Sequence, residues 1–146
     1  MSIRTTTVLL SSALGLTVAA LAAGASSVST DQLRYGEHQF QAKCASCHGD
    51  SGKGNGPMAA SLDRVPPDLT TLATRYGGSF PTHLAWQIID GRPYEGDVQA
   101  PRAMPVWGQE FRHETTMSVE QPDSPELYVD NHISALVDYL ESIQAR

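Results

Sequence analysis

Cysteine is scarce in this chain, with 2 residues in 146, Cys44 and Cys47. So small a number excludes a multi-bridge disulfide framework. It also excludes a closed zinc site of four thiolates, and no H-x-x-x-H stands elsewhere to complete a site from the pair. Basic residues are few, 10 Lys and Arg against 16 Asp and Glu, for a net charge of −6. A chain this acidic does not neutralise a phosphate backbone, so nucleic acid is excluded as a partner. A protein partner with a basic surface is expected instead. No alternation of apolar and polar residues lasts long enough to insist on a strand. The one long apolar stretch, from about Val8 to Ala23, is shorter than the roughly 20 residues that span a bilayer. Glycines crowd positions 49–56, but no G-x-x-x-x-G-K-[ST] can be placed on Lys53, so a phosphate-binding loop of that kind is excluded.

What is present begins with a targeting pattern. Arg4 supplies a positive charge ahead of the apolar stretch, and Ala23-Gly24-Ala25 is an A-x-A-like cleavage site. Residues 1–25 are expected to be an export signal and 26–146 one domain, periplasmic and with no membrane span after cleavage. An uncleaved membrane anchor is the alternative. Removal of residues 1–25 takes away Arg4 and makes the remainder more acidic.

The two cysteines stand in Cys44-Ala45-Ser46-Cys47-His48. C-x-x-C-H is the attachment signature of a c-type haem. Two thiols one turn apart can add across the two vinyl groups of one porphyrin, and the following histidine then lies under the iron. The competing readings are a redox dithiol, half a zinc site and a simple disulfide. A redox C-x-x-C wants a βαβ context that these flanks do not offer. Export agrees independently with the haem reading, because free thiols outside the cytoplasm tend to oxidise.

Ser29-Thr30-Asp31 offers N-cap chemistry for a helix running to about Lys43, with Leu33, Gly36 and Phe40 at helical spacing. Gly36 inside a helix costs about 1 kcal/mol against Ala, and close approach of another helix would explain it. From Asn131 to about Gln144, Ile133, Leu136, Val137, Leu140 and Ile143 form one stripe. This helix is expected to cross the first near Gly36 and Phe40. Short helices are expected at Leu69–Arg75 and after Pro81, a loop over 92–103, and a long polar connection from about Gln109 to Asp130.

An iron held by His48 has a sixth position. Met58, Met104, Met117, His38, His83, His113 and His132 are the candidates. Met104 stands out because Pro105 stiffens the backbone after it and removes a donor. A thioether opposite a histidine is the His/Met pattern that raises a haem potential. Met58 lies close to His48 in sequence and is the main rival, better suited to the haem edge.

The chain resembles the class I mono-haem c-type cytochromes of bacteria. The resemblance covers roughly residues 30–144 and is carried by C-A-S-C-H-G at 44–49, G-x-G-x-G-P at 52–57, P-P-D-L-T at 66–70, M-P-V-W-G at 104–108 and L-V-D-Y-L-E-S-I at 136–143. It implies an all-α cytochrome c fold, with the terminal helices crossing and short helices and loops wrapped round one covalent haem c. It implies Cys44 and Cys47 on the vinyl carbons, His48 as proximal and Met104 as distal ligand. It also implies a proline carbonyl accepting the Nδ1–H of the proximal histidine, a role Pro57 matches, and Arg75, Tyr76, Arg92 and Trp107 as candidates for the propionates. The long 109–130 connection departs from a minimal domain.

The function this implies is a monomeric periplasmic electron carrier, cycling iron between Fe(II) and Fe(III) without bond chemistry of its own. Electrons would leave near Cys44–Ser46, Met58–Ala60 and Pro105–Val106. The alternatives are a dedicated cytochrome subunit of a larger oxidoreductase, and an enzyme or gas sensor with an open iron position. A di-haem peroxidase would need a second C-x-x-C-H, which the sequence lacks.

Overall fold

The computed structural model of the chain describes residues 28–92, 104–118 and 123–145. The expected leader over 1–25, and all but the first residue of the loop expected over 92–103, lie outside the described residues. Among the described residues the order is α1 (Thr30–Lys43), α2 (Ala45–His48), two 3-10 turns at Ala59–Ser61 and Leu69–Thr71, α3 (Leu72–Arg75), α4 (Thr82–Asp90), α5 (Trp107–Met117) and α6 (Pro125–Ser142), with no strand. The expectation of an all-α chain is met.

The first helix starts where its cap chemistry places it. The Ser29 hydroxyl accepts from the Gln32 N–H at 3.1 Å, satisfying one of the orphan donors of the first turn. Asp31 in that turn and Lys43 in the last complement the helix dipole. At the far end the Cys44 N–H still reaches the Phe40 carbonyl at 2.8 Å, and α2 begins at the next residue.

The last helix is longer than its apolar stripe. It starts at Pro125 and not at Asn131, with the Ser124 side chain accepting from the Leu127 N–H at 3.2 Å. Pro125 is a helix N1 residue here, where its missing N–H costs nothing. The added turns bury Val129. Residues 107–117 correct a second expectation. They form α5 within the supposed connection, burying Gly108, Phe111 and Thr115 at helical spacing. One aromatic and two small residues make too thin a stripe to stand out against the polar background.

The crossing of α1 and α6 is where it was expected. A Cβ placed on Gly36 would sit 2.0 Å from the Ala135 carbonyl oxygen and 2.9 Å from the Tyr139 Cβ. The two backbones touch there, and no residue with a side chain fits. One turn on, the Phe40 and Tyr139 rings lie 5.3 Å apart. Gln32 Nε2 donates to Asp138 Oδ2 at 3.2 Å on the outer side of the crossing. Phe111, Val129, Ile133 and Leu136 complete a core that is essentially closed to water.

Gly36→Ala improves helix propensity by about 1 kcal/mol. The expected outcome is nevertheless a net loss of about 1–3 kcal/mol, because the methyl group meets backbone that cannot give way. His38→Ala, at an exposed position of the same helix, should shift stability by less than about 0.5 kcal/mol. Urea melts of the two variants check this, and an unchanged midpoint for Gly36→Ala would mean that the helices do not touch there.

Candidate functional site

The Cys44–His48 turn forms where α1 runs into α2. The Cys44 carbonyl accepts from the N–H groups of Cys47 at 3.1 Å and His48 at 2.9 Å, so both thiols and the imidazole belong to one turn of backbone. Both cysteines are free and half-buried. Burial pushes the Cys44 thiol up to about 12, against the opposing charge of Lys43. Burial also lowers the pKa of His48, which keeps the imidazole neutral and its lone pair free for a metal.

The chain after the motif folds back on it through glycine. The Gly54 N–H reaches the His48 carbonyl at 2.7 Å with φ at 77°, and a Cβ there would sit 2.1 Å from the Pro66 carbonyl oxygen. Only glycine combines that left-handed backbone with so close an approach. The Leu69 N–H reaches the Gly52 carbonyl at 2.7 Å, closing the loop.

This folding back corrects one assignment. Pro57 is exposed and lines a small cleft with Gly49, Asp50 and Asn55, away from the motif's inner face. Pro67 is the proline beside His48, and its carbonyl acts on the imidazole to raise the pKa against the effect of burial. The buried Nδ1 has no partner at full hydrogen-bond geometry, so the contact is a loose one. The tight turns at 49–56 leave Pro57 outside the cavity that Pro66 and Pro67 line.

A cavity of about 480 Å³ opens between the motif and the rest of the fold. Cys44, Cys47 and His48 line it, and so do Met104, Pro105 and Trp107. Leu136 and Leu140 of α6, with Ala85 and Ile89 of α4, supply an apolar wall. Of the candidates for the sixth ligand, Met104 alone shares this cavity with His48. Met58 is 51 % exposed and Met117 74 %. His38, His83 and His113 are exposed. His132 is buried but engaged elsewhere, its Nδ1 at 2.8 Å from the Tyr128 carbonyl and its Nε2 bonded to the Tyr35 hydroxyl.

Among the propionate candidates, Arg75, Tyr76 and Trp107 line the cavity. Arg92 does not. Its guanidinium is taken up by Asp90 at 2.7 Å and Glu126 at 3.0 Å. Arg64 lines the cavity and was not anticipated, since nothing in its local sequence distinguishes it from a surface arginine. Among the described residues no cluster of three His, Cys, Asp or Glu that could hold a metal occurs.

The donor set fits a haem. Two free thiols lie one turn apart, a neutral imidazole follows them, its buried Nδ1 awaits an acceptor, and a soft thioether shares the apolar cavity. No curated protein and no solved structure gives a significant match to the chain. The model of the family described as cytochrome c oxidase, cbb3-type, subunit III matches residues 31–119 of the 146, a span that holds the C-x-x-C-H turn, Met104 and α5. The chain therefore belongs to that family of c-type cytochrome domains, all-helical and built for electron transfer through haem c.

Proposed function

We propose that the chain is an exported, monomeric electron-transfer protein carrying one covalent haem c, with Cys44 and Cys47 as the attachment residues and His48 and Met104 as the axial ligands. One observation carries this reading: a single cavity has the C-x-x-C-H turn and Met104 together in its lining. When bound, the haem supplies a one-electron Fe(II)/Fe(III) couple. The protein's own residues set the conditions for it. Two thioether bonds from one turn of backbone would fix the position of the ring against α6. A tightened contact with the Pro67 carbonyl would orient His48 and favour a basic imidazole. The thioether of Met104 favours Fe(II), and the apolar wall keeps water from the iron, both of which raise the potential.

Exit of the electron calls for a place where the cavity meets solvent. Ser46 and Pro105 line the cavity and are exposed, and exposed Met58 lies beside Ser46 through its N–H bond to the Ser46 carbonyl at 2.8 Å. A small apolar edge suits brief redox encounters. Arg64 and Arg75 on the cavity wall would hold the propionates, and the net negative charge of the remainder would steer a basic partner toward the edge. The reading includes no bond chemistry by the chain itself.

The leader over 1–25 and a periplasmic location belong to the same proposal and are supported by Arg4, the apolar stretch and Ala23-Gly24-Ala25. The family's description as an oxidase subunit favours a second reading, in which the same domain relays electrons inside a larger oxidoreductase. Among the described residues no helix is long and apolar enough to cross a membrane. The two readings part on whether the protein purifies alone.

Mass spectrometry of the purified protein should show one added haem on a chain beginning near Ser26. An unmodified mass from cells competent in haem attachment would overturn the proposal. Oxidised protein should show the weak far-red sulfur–iron band. Met104→Ala should abolish it and lower the potential by on the order of 0.1 V, within the roughly 0.8 V that axial ligands command. Met58→Ala should leave both unchanged, and the opposite pattern would reassign the ligand.

Electron exchange with a basic redox protein should be fast and should slow as salt rises, because charges are screened over about 8 Å at physiological ionic strength. Stopped-flow rates over a salt series measure this. A flat dependence would show that net charge does not steer the encounter.

A further inference from the structure

The segment Met104-Pro105-Val106 runs from the cavity wall directly into α5, so whatever fixes the first turn of α5 also fixes Met104. That first turn has no side-chain cap of its own. It is seated instead on the end of α4. Asp90 is the last residue of α4 and is fully buried. A Cβ placed on Gly108, the second residue of α5, would sit 2.0 Å from Asp90 Oδ1 and 2.6 Å from Arg92 Nε. A Cβ placed on Gly91 would meet the Val106 Cα at 3.4 Å. The end of α4 and the start of α5 are therefore in contact at two neighbouring points, immediately after Met104.

The chemistry at this contact is charged. Arg92 Nε donates to Asp90 Oδ1 at 2.7 Å, and the Arg92 Nη1 reaches Glu126 of α6 at 3.0 Å. The second carboxylate oxygen, Oδ2, is buried and has no hydrogen-bond partner. A carboxylate so fully removed from water is retained only where positive charge compensates it. Arg92 supplies one part, and the positive end of α5, against which the carboxylate lies, supplies the other.

We propose that Asp90, held by Arg92 and seated on Gly108, is a positioning residue for the distal ligand, and that this contact sets how firmly Met104 stays at the iron. The inference rests on the reading of Met104 as that ligand. Removing the carboxylate leaves Arg92 without its buried partner and the end of α5 without its counter-charge. The first turn of α5 is then free to shift, and Met104 shifts with it. A residue that merely stabilised the fold would change unfolding without changing ligand exchange at the iron of the folded protein.

The test uses the purified haem-loaded protein and measures carbon monoxide binding to the reduced iron, with the far-red band followed in the oxidised form. The expected result is that Asp90→Asn and Gly108→Ala bind carbon monoxide faster than wild type by about tenfold or more, as the population with the ligand detached rises. Their far-red band should also be lost at lower temperature than global unfolding. Arg92→Gln, altered at the outer side of the contact, covers the case in which the first two do not fold. It should show the same effect, and Arg92→Lys should recover most of the wild-type rate. Rates within twofold of wild type for the folded variants, with the band lost only on unfolding, would overturn the proposal. Met104→Ala separates the two levels. If that variant keeps the band, the ligand assignment itself is wrong and the positioning role falls with it. If it loses the band while the Asp90, Gly108 and Arg92 variants behave as wild type, the ligand stands and the positioning role alone is wrong.

Discussion

The contact between the backbones of α1 and α6 at Gly36 and Ala135 is the constraint from which the geometry of the site follows. With a Cβ on Gly36 excluded by 2.0 Å to a carbonyl oxygen, the helices can approach only there. That approach packs Phe40 on Tyr139 and fixes the C-terminal end of α1 against α6. Cys44 is the residue that ends α1, so the first thiol of the motif is placed by the crossing. Leu136 and Leu140, on the same stretch of α6, become the wall of the cavity into which that thiol opens.

The side bearing Met104 depends on the crossing at one remove. α4 and α5 pack on α6, with Ala85, Ile89 and Phe111 buried in the shared core. α5 then carries Trp107 and, just before it, Met104 to the cavity. Charge is handled differently on the two sides. Around His48 the cations stand at the cavity lining, and burial holds the imidazole neutral. At the start of α5 charge is taken in, as the Asp90–Arg92 pair.

Much of this was legible in the sequence because the features are local or periodic. C-x-x-C-H announces its chemistry in five consecutive residues. Gly36 is conspicuous because a good helix former would be cheaper at that position. Met104 was singled out through Pro105, and it lines the same cavity as His48. What was not legible depends on long-range folding. Pro57 and Pro67 both follow the motif, and only the glycine turns decide which one faces His48. α5 buries too little apolar surface to show a stripe, and its first turn is fixed by a carboxylate from another helix. Gln39 gives no sign on a polar helix face that its Oε1 is buried, and Arg64 becomes notable only when the cavity beside it is known.

The size of the cavity has a consequence for how the molecule is made. Leu136, Leu140, Ala85 and Ile89 leave about 480 Å³ of largely apolar space beside the motif. A ring seated there would cover that wall and would count as part of the core. The five-residue motif is already complete in an unfolded chain, whereas every other element of the site exists only once the chain has folded.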